Sequence, residues 1–156
     1  MRTFFLVMAT LLVLDVVAQF YFAGVGAFHA PFDHEGFGLH AGNSLVLQGL
    51  AVLTAVAAGL ARAGWGTVGL AVLVALLKDV QYVIFALTDL FVPAGTPRNA
   101  EGIPLVVQGP PNFVIALHVV NALGILWISV VLLRRARRLA TTAPETAPAA
   151  TPVAGS

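Results

Sequence analysis

The sequence predicts an all-α integral membrane protein: a bundle of four transmembrane helices built from two pseudo-symmetric helical hairpins. Three observations carry that expectation. Of 156 residues, 59% are hydrophobic and 10% charged, with a mean hydropathy of +0.94. An ordinary soluble domain is about 25% charged, and a soluble fold this small has too little interior to hide so much apolar surface. The apolar residues gather into four stretches, each matching the roughly 20 helical residues that cross a hydrocarbon layer. One short pattern also occurs twice, as LHAGNSL at 39–45 and LHVVNAL at 117–123, where the second and fourth stretches begin.

The four spans are expected over 3–23, 37–61, 67–92 and 112–133. They must be helical, because in lipid every backbone donor and acceptor has to be paired within its own segment. The breaks are well punctuated: AGVGAFHAPFDHEGFG is rich in Gly and Pro, ARAGWG is short, and VPAGTPRNAEGIPLVVQGPP carries five prolines. The first stretch has a rival reading as a cleaved signal peptide, residues 1–27, with Val25-Gly26-Ala27 as the cleavage site. Its apolar run is long for a signal, Asp15 interrupts it, and its removal would leave three spans with one unpaired. It is therefore read as a retained span. Residues 139–156 are rich in Ala, Pro and Thr and have nothing to bury, so they are expected as a disordered cytoplasmic tail.

Positive charge orients the spans. Arg2 precedes the first, Arg62 lies between the second and third, and Arg134, Arg135, Arg137 and Arg138 follow the fourth. The other two connections hold Arg98 alone, beside Asp33, Glu35, Asp89 and Glu101. The expectation is a multi-pass plasma-membrane protein with both termini in the cytoplasm.

Several polar residues interrupt the spans. The first contains LDVVAQFYFA, with Asp15 and Gln19; the third contains LKDVQYVIFA, with Lys78, Asp79 and Gln81. Together with the two His-x-x-Asn motifs, this reads as a duplicated in-out-in hairpin, related by a pseudo-twofold along the membrane normal. At 1.5 Å per residue, His40 lies about 5 Å and His118 about 9 Å inside the outer boundary, each with its asparagine, Asn43 or Asn121, on the same helix face. Asp15 and Lys78 both lie about 17 Å from the inner boundary. A mid-membrane charge is costly, so the two are expected to pair; Asp79 faces elsewhere on the helix, and is either protonated or itself the partner of Lys78. Gln19, Gln48 and Gln81 would add interhelical hydrogen bonds.

Two histidines at one level have a ligand reading and a structural one. A neutral imidazole is a metal ligand whose second nitrogen needs an orienting partner. Haem b suits a chain without cysteine, since it takes one His from each of two facing helices. His40 and His118 would then be the metal ligands, with Asn43 and Asn121 beside them in the cofactor site and Gly38, Ala41 and Gly42 making room for the macrocycle. A quinone or another small amphiphile could use the same donors. The structural reading treats all these groups as polar contacts that select helix partners. The first outer loop holds His29, Asp33, His34 and Glu35, which are metal-ligand types without a recognised spacing; they are read as a polar interfacial loop.

No nucleophile elbow, Walker loop or HExxH pattern is present, so no catalytic residue is expected. The net charge of +1 says nothing about nucleic acid, but there is no basic, aromatic-interleaved patch, so no nucleic-acid partner is expected. Three function classes remain: a haem-binding redox or sensor protein, a proton, ion or small-molecule transport element working through Asp15, Lys78 and Asp79, and a non-catalytic subunit or scaffold. The partners these imply are the lipid bilayer, a redox partner or quinone, and a second copy of the chain.

In QFYFAGVGAF, His40 and LHVVNAL, the chain resembles a family of small four-span bacterial membrane proteins of unknown function. Gln19, Phe20, Ala23, Gly24, Gly26, Phe28, His40, His118, Asn121, Ala122 and Leu123 carry the likeness. It extends over residues 4–138 and implies the fold and the two histidines, but no activity. Lys78 and the proline-rich loop 93–111 depart from the family's pattern.

The topology makes a direct prediction. Cysteines introduced at Ala94 and Ala147 should be labelled by a membrane-impermeant thiol reagent from opposite sides. Labelling of both from one side would rule the orientation out.

Overall fold

Each apolar stretch forms one helix. The computed structural model describes residues 1–29, 35–97 and 110–141. Its helices are α1 (Arg2–Ala27), α2 (Gly38–Leu60), α3 (Trp65–Asp89) and α4 (Pro110–Thr141), with a 3-10 turn at Glu35–Phe37 leading into α2. All four are long and apolar enough to cross a membrane, the architecture of a multi-pass membrane protein. Of the expected tail, residues 139–141 are instead the end of α4; residues 142–156, and loop residues Asp33, His34, Arg98 and Glu101, lie outside the described residues.

The helices form a bundle in which each packs against two neighbours, α1 on α2 and α4, and α3 on α2 and α4. Consecutive helices are antiparallel. Phe5 of α1 clusters with Ala57 and Ala58 of α2, while Leu12 and Val16 cluster with Leu47 and Ala51, so the numbering runs in opposite directions along the pair. The link from α2 to α3 turns through Arg62 (φ 53°) and Gly64 (φ 85°), left-handed conformations that glycine adopts without a steric penalty.

Two apolar layers hold the bundle. The central one joins Leu12, Val16, Leu47, Ala51, Ala71, Val74, Ile125 and Leu132 from all four helices. The second, at the arginine-rich end, packs Phe5 among Ala9, Ala57, Ala58, Ala61 and Ala136; small residues let helices approach closely where lipid removes the usual hydrophobic drive. Leu14, Tyr21, Leu45, Val120 and Trp127 point outward and are 60–70% exposed. That is an inside-out surface only lipid would accept. Buried hydroxyls bond within their own helices, Thr54 to the Leu50 carbonyl at 2.7 Å and Ser129 to the Ile125 carbonyl at 2.8 Å.

The helix ends differ from expectation at two places. α1 continues past 23 through Gly24 and Gly26. Gly26 serves close packing rather than a turn, because a Cβ there would sit 2.5 Å from the Phe37 ring. α4 runs two turns past 133, since Leu, Arg and Ala are strong helix formers and cations suit a helix C-terminus.

Ala51→Leu should destabilise the bundle by about 1–3 kcal/mol through overpacking. Leu45→Ala, on the lipid face, should change stability by no more than about 0.5 kcal/mol. Reversible unfolding in mixed detergent reads both; equal effects would show that Ala51 is not a tight core contact.

Candidate functional site

The half of the bundle away from the arginine-rich end, beyond the central layer, carries the polar side chains. His40 is the third residue of α2 and His118 the ninth of α4, yet their rings meet at a centroid separation of 6.0 Å with planes 62° apart. These helices are diagonal in the bundle, so the two rings touch across its axis.

Each histidine is fixed by the helix before it. Gln19 of α1 donates from Nε2 to the His40 carbonyl at 3.0 Å, and Gln81 of α3 donates from Nε2 to the His118 carbonyl at 3.3 Å. The same bond thus appears in both hairpins. His40 Nδ1 lies 3.1 Å from the Gln19 carbonyl; as a donor to that oxygen, Nδ1 carries the proton and leaves Nε2 as the basic nitrogen. His118 Nδ1 is buried and has no hydrogen-bond partner. Aromatic rings flank the pair: Phe37 is 6.4 Å from the His40 ring and Phe85 is 5.0 Å from the His118 ring.

The asparagines bind neighbouring helices. Asn43 donates to Gln19 Oε1 at 3.2 Å, and Asn121 to the Leu77 carbonyl at 2.7 Å. Each completes the tie within its hairpin. Gly38, Ala41 and Gly42, expected to make room beside the histidines, lie on the exposed outer face of α2, with nothing within 4 Å of a Cβ built on either glycine. At 100° per residue they turn away from the face that His40 occupies.

The expected Asp15–Lys78 ion pair does not form. Lys78 is 5% exposed, and its ammonium lies 4.1 Å over the Tyr82 ring, a cation–π contact that helps a buried cation. The Asp15 carboxyl has Asn43 beside it, leaves Oδ2 without a partner, and opens on a groove of about 440 Å³ formed by Leu11, Leu14, Ala18, Val46 and Leu50. Equal depth did not bring the two charges together because their helices aim them at different seams. Asp79, one residue round from Lys78, is exposed on the outer face of α3.

The buried side-chain polar atoms without partners, among the described residues, are Asp15 Oδ2, Gln48 Oε1, Gln81 Oε1 and His118 Nδ1. Each such atom costs about 1–3 kcal/mol. All belong to the polar half of the bundle. No group of three His, Cys, Asp or Glu side chains gathers around a common point among the described residues. Sequence reasoning missed the two phenylalanines and the matched glutamine–carbonyl bonds. The signal for the latter was present: Gln19 and Gln81 each stand eight residues before the end of their helix.

A family of unknown function, DUF6220, matches residues 19–88 of the chain. That stretch runs from Gln19 through α2 to the end of α3 and includes His40, Asn43, Lys78 and Gln81; His118 and Asn121 lie beyond it. No curated protein and no solved structure matches the chain.

The contacts predict which residues are energetically coupled. In double-mutant cycles, Gln19→Leu and Asn43→Ala should couple by about 0.6 kcal/mol, and no more than about 1.7, as interhelical hydrogen bonds in membranes do. Asp15→Asn and Lys78→Met should be additive to within about 0.5 kcal/mol. Strong coupling of the second pair would restore the ion pair that the sequence suggested.

Proposed function

We propose that this protein is a b-type haem-binding membrane protein, a redox carrier or sensor, in which His40 and His118 would hold the haem iron. The observation that carries the reading is the meeting of the two imidazoles across the bundle axis, 6.0 Å between centres. Two imidazoles brought this close from two facing helices could ligate one metal between them. The donor set suits the group in a second way. Two side-chain ligands are too few for a structural zinc site, but they suffice for an iron that brings its four equatorial nitrogens with it. His40 already has the oriented second nitrogen that a metal-ligating histidine needs. His118 has a ring nitrogen in want of a partner.

When bound, haem supplies a one-electron couple. The chain's own residues hold and shield it. Gln19 and Gln81 fix the two helices at the level of the histidines, and Phe37 and Phe85 exclude water.

The same reading includes a duplicated hairpin, both termini in the cytoplasm and a bacterial plasma membrane. The paired glutamine–carbonyl bonds favour the duplication, and the arginines at one end favour the orientation. A second reading, proton-linked transport, is favoured by Asp15, whose unpartnered oxygen and open groove are features of a working carboxyl more than of a helix tie.

Protein purified in detergent from haem-sufficient cells should show a Soret band and sharp reduced α and β bands. His40→Ala and His118→Ala should each weaken or abolish them while the far-ultraviolet circular dichroism stays helical. A colourless protein that also fails to take up added haemin would sink the reading and leave transport as the leading one.

A further inference from the structure

The seam between α1 and α2 carries a second site on its lipid side. Leu11, Leu14, Asp15 and Ala18 of α1, with Val46 and Leu50 of α2, line a groove of about 440 Å³, a size within the roughly 300–1,000 Å³ that small-molecule sites occupy. Leu11, Leu14 and Val46 are exposed, so in a bilayer the groove opens sideways into hydrocarbon. Its walls are aliphatic, and Asp15 is the polar residue of the lining. The carboxyl is anchored from α2: the Asn43 amide donates to Gln19 Oε1 at 3.2 Å and also bonds Asp15. Asp15 Oδ2 is buried without a hydrogen-bond partner. Lys78 is turned to the Tyr82 ring, 4.1 Å away, and does not supply the countercharge.

These features select a class of ligand. An ionised carboxyl in hydrocarbon is costly until a positive charge joins it. An inorganic cation is a poor match: calcium takes about six to eight oxygen ligands and magnesium a near-ideal octahedron of them, whereas the groove sets one carboxyl among aliphatic walls. A ligand that binds through N–H or O–H groups is also disfavoured, because Oδ2 lies beneath the groove surface rather than on it. An organic cation whose charge is spread over a bulky apolar body meets both conditions. Its body covers the leucine and valine walls, and its charge acts on the carboxylate through a low dielectric, where attraction needs no hydrogen bond. Such a cation dissolves in the bilayer and reaches the groove from the side.

We infer that this groove binds lipophilic organic cations, quaternary ammonium or phosphonium ions, with Asp15 as the charge partner and Asn43 as the residue that positions its carboxyl. The inference rests on the transport reading of Asp15 and names the substrate class for it. It is independent of any group held by the histidines.

Equilibrium dialysis of the full chain in nanodiscs of zwitterionic lipid tests the assignment, with empty nanodiscs as the blank. The probes are radiolabelled tetraphenylphosphonium and tetraphenylborate, an anion of the same shape. The phosphonium should bind saturably and the borate should not. Asp15→Asn, which keeps the shape and removes the charge, should weaken phosphonium binding roughly tenfold or more. Asp89→Asn, which removes the same charge at the far end of α3, should leave it unchanged. Val46→Trp fills the groove from the lipid side with the carboxyl in place. It should weaken binding severalfold, and it reads the site even if Asp15→Asn fails to fold. No saturable binding, equal binding of the borate, or undiminished affinity in a folded Asp15→Asn or Val46→Trp protein overturns the inference. Flux is measured separately in sealed vesicles: Asp15-dependent binding without flux would sink the transport reading and leave the site standing.

Discussion

Hydrocarbon offers no water to a polar group, and that constraint governs where everything in this bundle can go. Hydroxyls take the nearest solution and bond back to their own helix, as Thr10, Thr54 and Ser129 do. Amides and imidazoles are too long or too rigid for that and must reach across. The bonds that reach across run from Gln19 to His40, from Asn43 to Gln19, from Gln81 to His118, from Asn121 to Leu77 and from Arg135 to Thr67. Each of these stays within a hairpin. Across the hairpins, among the described residues, the Ser44 side chain of α2 bonds the Tyr82 hydroxyl of α3, the two histidine rings meet, and apolar packing supplies the rest of the junction.

The helices were legible because hydropathy reports burial in lipid directly, and the existence of four spans needs nothing more. Their ends were less so. Gly24 and Gly26 resemble a stop signal, yet a glycine can also answer a close neighbour, and the Phe37 ring is not visible from α1's own sequence. The depth of a residue is legible by counting at 1.5 Å per residue, which is why the two histidines were placed at nearly one level. Azimuth is legible only once the face that meets the core is known. This explains two misplacements. Gly38, Ala41 and Gly42 share His40's depth but not its side of α2. Asp15 and Lys78 share a depth but face different seams, one closed by Asn43 and the other by Tyr82.

The two ends of the bundle solve opposite problems. At the arginine-rich end, alanines at 0% exposure surround Phe5, the layer is dry, and charge begins only at the rim. At the other end, the layer under the histidines keeps atoms that no neighbour satisfies. Gln81 offsets part of that cost by its bond to the His118 carbonyl, but its Oε1 and that of Gln48 stay without partners. Stability alone thus gives no full reason for the layer. A ligand, or water bridging the acceptors, would.

The shared glutamine bond also sets the register of the proposed duplication. Matching Gln19 with Gln81 places Leu77 where Asp15 stands and Val16 where Lys78 stands. The asparagines then fall into place. Asn43 lies between Gln19 and the Asp15 carboxyl, while Asn121, which meets a leucine at the corresponding position, turns its amide to the Leu77 backbone carbonyl instead. One hairpin has a carboxyl on the face toward its partner helix, and the other has an ammonium one residue further round. The glutamine and histidine are common to both halves, and the charges are not. What the two hairpins share is the frame that brings the imidazoles together; what separates them is the charge each half sets beside that pair.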